Sequence, residues 1–151
     1  MSNSDAQPTA LLRRIVRVGA MPVAAVSGAL FGRSKTLSMI RKPTLPASEA
    51  TVRVRAGSNG NTRLTVRVKH LPQASELESD ATVYVVWTRS QDGTKTNVGA
   101  LTLSHDLEGS LETVTPHRWF QVTLTPEPMG QVTQPTHEAV FTADVERSER
   151  R

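Results

Sequence analysis

The chain of 151 residues contains no cysteine. Disulfides and thiolate metal sites are therefore excluded, and any exported form would have to fold without covalent cross-links. Aromatic residues are scarce: one Tyr, two Trp and three Phe, with Phe31 the only ring before Pro46. No uncharged run is long enough for a membrane-spanning helix. The best candidate, Val18 to Phe31, falls short of the ~20 residues required and is interrupted by Gly19, Pro22 and Gly28. Catalytic signatures are missing as well. There is no H-E-x-x-H, no G-x-S-x-G, and no glycine-rich phosphate loop, the glycines standing singly in turn positions.

What is present divides into two parts of different character. Met1 to Pro46 holds seven Lys/Arg against Asp5 alone, whereas Ala47 to Arg151 holds eleven against thirteen Asp/Glu. The net charge of +4 thus belongs to the N-terminal third. This asymmetry predicts a basic arm over 1–46, a folded module over 47–145 and a charged tail over 146–151.

The arm starts polar and then turns apolar. After Pro8, the spacing of Leu11, Leu12, Ile15 and Val16 predicts a short helix, and Val23, Val26, Leu30 and Phe31 extend the apolar character. These eight residues are candidates for an interaction surface. Arg13, Arg14 and Arg17 ahead of the apolar stretch also fit the start of an export signal. Three readings stay open: an export signal, an amphipathic segment docking on a membrane surface or a neighbouring subunit, and a local helix packed on its own domain. Nucleic-acid binding is disfavoured, because the basic residues alternate with apolar ones and no ring other than Phe31 is there to stack on bases. Pro43 and Pro46 impose extended geometry on Arg33 to Pro46, a strap suited to a sheet edge or to a crossing into another subunit.

From Ala47 onward the pattern is strand and turn. Thr51–Arg55 and Arg63–Lys69 alternate cleanly around Asn59-Gly60, a hairpin signature. Parity places Val52, Val54, Leu64, Val66 and Val68 inward. It places Arg53, Arg55, Arg63, Arg67 and Lys69 outward on one face, either as an anion- or partner-binding stripe or as solvated, edge-protecting charge. Val83-Tyr84-Val85-Val86-Trp87 is apolar on both parities, which predicts a strand covered on both faces. Asp92-Gly93 then turns the chain back through Val98, Leu101 and Leu103. Short strands follow at 111–114, 118–125 and 139–145. Trp87, Val85, Phe120 and Val122 are the core candidates, with Trp119 facing an edge or a second layer. Six to eight short strands without helical periodicity predict an all-β fold, a β-sandwich.

The order of motifs from Leu71 to Val145 resembles the immunoglobulin-like C-terminal domain of anti-sigma-K-type factors, the portion outside the cytoplasmic membrane. The matching elements are Tyr84 and Trp87, Asp92-Gly93, Gly99 and Leu101, Val122-Thr123, Glu127-Pro128 and Pro135-Thr136. The resemblance implies a non-enzymatic, extracytoplasmic sandwich. The family's sigma-binding zinc domain cannot be present without cysteine, so sigma-factor inhibition is not implied.

No catalytic, cofactor or metal site is expected. His70, His105, His117 and His137 lie beside turns without metal-ligand spacing. Ser104-His105-Asp106 are neighbours in a turn and cannot aim at one another as a triad must, so Asp106 reads as a turn residue. Glu76, Glu78 and Asp80 form an acidic loop without the glycine and spacing of a calcium loop. The expected function is a structural or protein-interaction module whose arm mediates assembly into a filament, shell or phage-like particle, by self-association or with other subunits. The alternative is an exported or membrane-associated ligand-binding domain with its site on the loop from Gln131 to Glu138.

Overall fold

The computed structural model describes residues 33–148. Nine strands form two antiparallel sheets: β1 (Ser34–Ser38), β2 (Ile40–Arg41), β3 (Glu49–Ala56), β4 (Thr62–Lys69), β5 (Val83–Ser90), β6 (Lys95–Leu101), β7 (Gly109–Thr115), β8 (Trp119–Glu127) and β9 (Phe141–Glu146). The first sheet has the order β1-β3-β4-β7 and the second β2-β9-β8-β5-β6. Val52, Val54, Leu64, Val66 and Val68 of the first sheet meet Tyr84, Val86, Phe120, Val122, Leu124 and Phe141 of the second in one continuous core. The all-β two-sheet fold is thus as the alternation patterns imply. The hairpin between β3 and β4 turns through Asn59 (φ 56°) and Gly60 (φ 78°), the left-handed pair that an Asn-Gly turn supplies.

Two segments add to the sequence reading. The strap takes the sheet-edge course of its two open alternatives and so belongs to the sandwich, whose first strand begins at Ser34 and not after Ala47. β1 pairs with β3, and β2 pairs with β9. Met39 is buried between them and donates its amide to the Ala50 carbonyl at 2.8 Å. The chain therefore crosses from one sheet to the other and links them along one side. Across Ser34–Arg41 only Leu37 and Met39 face inward, too few apolar positions to register as a strand pattern. The acidic stretch after Pro72 opens with one helical turn, α1 (Ala74–Leu77). Its capping box joins Gln73 and Glu76, satisfying amides that would otherwise lack partners.

β6 carries a bulge. Val86 pairs with Gly99 and Trp87 with Asn97, which leaves Val98 unopposed. Gly99 sits at φ +145°, and a Cβ placed there would lie 2.9 Å from Leu111 Cδ2. We expect Gly99→Ala to cost about 1–3 kcal/mol in equilibrium denaturation, through backbone strain and the clash with β7. A neutral effect would mean that the bulge is not fixed.

Candidate interaction surface

The outward face of the first sheet is the most charged feature among the described residues. Arg53, Arg55, Arg67 and Lys69 are exposed and Arg63 is half-buried, all on one side of β3 and β4 as parity requires. The register sets Arg55 directly opposite Arg63, Thr51 opposite Arg67 and Glu49 opposite Lys69. Arg63 is paired with Glu112 on β7 at 2.8 Å, and Arg53 donates to Ser34 Oγ at 3.1 Å. No ion pair joins Arg55, Arg67 or Lys69 to a described residue. Directly opposed like charges destabilise a sheet; Glu112 offsets the charge of Arg63, and the Arg55 guanidinium makes no ion pair with a described residue. Next to this face runs β1, whose outer side pairs with no described strand.

The second sheet buries something on its far face. Tyr84 and Val86 point to the core, whereas Val85 and Trp87, of opposite parity, lie outside that core cluster although both are fully buried. Trp87 is therefore not a tryptophan between the sheets. It is covered from outside by the connection between β8 and β9. Asn97 Nδ2 donates to the carbonyls of Gly130 and Val132, each at 2.8 Å, and Thr82 Oγ1 donates to that of Pro128 at 2.8 Å. Beneath this cover Trp87 Nε1 donates to Thr125 Oγ1 (2.8 Å), which donates to Glu127 Oε1 (2.6 Å). The Thr136 amide donates to the same carboxylate at 3.0 Å, and its hydroxyl donates as well. Phe120 and Val122, the other core candidates, do face the inter-sheet core.

Titratable groups elsewhere serve turns. Ser90 and Thr94 hydrogen bonds lower the Asp92 carboxyl to about 2, which fixes the β5–β6 turn. Burial raises the Tyr84 phenol, whose hydroxyl donates to the Pro72 carbonyl at 2.6 Å. In the 104–106 turn it is Ser104 Oγ, not Asp106, that caps the backbone, accepting from the amides of Asp106 and Glu108. The exposed Trp119 borders an open cleft of about 490 Å³ with Arg89, Gln121 and Asp144.

One grouping was not visible in the sequence. Glu78 and Asp80, which the sequence places in an acidic loop without calcium-loop spacing, stand beside His137 from the β8–β9 connection, with a ligand atom from each within 4.8 Å of the others. The arm candidates Leu11, Leu12, Ile15, Val16, Val23, Val26, Leu30 and Phe31 lie outside the described residues. Among the described residues no helix is long and apolar enough to cross a membrane. No family model, curated protein or solved structure matches the chain.

Proposed function

We propose that the protein is a non-catalytic structural module that binds other protein subunits, or further copies of itself, through its N-terminal arm. The observation that carries this reading is where the arm enters the fold. The arm precedes β1 in the chain, and β1 is an edge strand whose outer side pairs with no described strand, a template for a strand from another chain. Leu11, Leu12, Ile15 and Val16 supply apolar surface for such a contact. The Arg55–Arg67 face beside β1 supplies charge for an acidic patch on the neighbour. A particle or an extracytoplasmic assembly is the setting that suits these features.

Light scattering on the full chain and on a chain starting at Arg33 tests the proposal. Cutting at Ala47 would confuse the test, because it removes β1 and β2. The full chain is expected to be multimeric and the truncated one monomeric and folded. Equal masses would overturn the reading.

Equal monomeric masses would instead favour an exported or membrane-associated binding domain of immunoglobulin-like type. One observation supports that second reading. Trp87, Glu127 and Thr136, which carry the resemblance to the anti-sigma-K-type ectodomain, meet in a single hydrogen-bonded unit.

A further inference from the structure

We propose that Glu78, Asp80 and His137 form a binding site for a divalent metal ion of the zinc class, which pins the β8–β9 connection to the segment leading into β5. The donors come from two stretches of chain far apart in sequence. Glu78 and Asp80 follow α1, and His137 arrives through the long connection that covers Trp87. His137 Nε2 lies 2.8 Å from Asp80 Oδ1, and its Nδ1 lies 3.6 Å from Glu78 Oε2. The imidazole from the second segment separates this trio from an ordinary solvated acidic run. Its side chain is 19% exposed, against 43% for Glu78 and 59% for Asp80. The ring is the least exposed of the three, and Asp80 already engages its Nε2.

The donor chemistry narrows the metal. One imidazole and two carboxylates, without a thiolate, suit Zn²⁺ and its neighbours in the first transition row better than Cu⁺. Calcium would want six or more oxygen donors, and magnesium a mainly water-filled octahedron. Zinc takes its N and O ligands at about 2.0–2.2 Å. One ligand atom from each residue lies within 4.8 Å of the others, near enough for one imidazole nitrogen and the two carboxylates to share such a centre, with a position left for water. With a neutral imidazole the trio carries two negative charges, which match a divalent ion. The backbone is already set on both sides: the Glu138 carboxylate accepts from Lys42 Nζ at 2.7 Å, and the Thr136 amide is bound to Glu127.

Titration calorimetry of the full chain with Zn²⁺, together with thermal melts, tests the site. One equivalent is expected to bind and raise the melting temperature. His137→Ala should weaken binding by well over tenfold, since loss of even an outer-shell partner costs about 10–100-fold. A variant with His70, His105 and His117 all changed to Asn should bind as the parent does, which separates this site from scattered surface imidazoles. Should His137→Ala fail to fold, Asp80→Asn, at an exposed position, reports in its place. Unchanged affinity in both the His137 and Asp80 variants, or a stronger preference for Ca²⁺ or Mg²⁺, would overturn the assignment and leave a hydrogen-bonded latch.

Discussion

Trp87→Ala is expected to destabilise the fold by about 3–5 kcal/mol, the range for truncating a large buried aromatic. The indole is fully buried, and its removal opens a void between the second sheet and the β8–β9 connection, away from the inter-sheet core. It also deprives Thr125 Oγ1 of the donor at 2.8 Å. Trp87→Phe keeps most of the apolar area and loses the indole N–H, so it should cost about 1–2 kcal/mol less than the alanine. Urea melts followed by far-ultraviolet circular dichroism read both values without depending on tryptophan emission. A cost below about 1 kcal/mol for the alanine would place Trp87 under a cover too loose to be structural. The site of damage is a second test. Because the covering loop lies outside the two-sheet core, hydrogen exchange should rise first in Asn97 and residues 128–139, ahead of β3 and β4.

How far the sequence could be read depended on the range of the interaction. The period-2 stretches of β3 and β4 named their own faces, because side-chain direction along a strand follows from backbone geometry alone. The double apolar parity of β5 correctly implied cover on both sides. What covers its far face was not legible, since the partner is an irregular loop whose apolar content is low and whose hold is polar: Asn97 to two carbonyls, and Thr136 to Glu127. β1 and β2 were missed for a related reason. An edge strand needs few apolar residues, and Ser34–Arg41 shows only Leu37 and Met39 to the interior. The Glu78–Asp80–His137 grouping depends on a loop crossing back over 57 residues, which no local spacing rule detects. The outward arginines were found by parity, but the direct opposition of Arg55 and Arg63 needed the register.

Glu127→Ala is expected to cost about 3 kcal/mol and Glu127→Gln only about 1 kcal/mol, because hydrogen bonds to a charged acceptor contribute more and an amide can replace part of them. Glu127 is fully buried at the end of β8, opposite Val83. Among the described residues no charged group pairs with its carboxylate; hydroxyls and an amide donate to it, namely Thr125 Oγ1, the Thr136 amide and the Thr136 hydroxyl. A buried carboxylate survives only when such donors replace its lost water. Alanine removes every acceptor and leaves the Thr136 amide with no partner beneath the cover. Glutamine can set its oxygen where Oε1 stands, accepting from Thr125 and the Thr136 amide, while its NH₂ donates to a rotated Thr136 hydroxyl. The amide proton of Thr136 is the local readout. It should stay protected in the glutamine variant and exchange quickly in the alanine one. Rapid exchange in both, with equal losses of stability, would mean that the amide cannot take over either acceptor role and that both carboxylate oxygens are required to close the loop over Trp87.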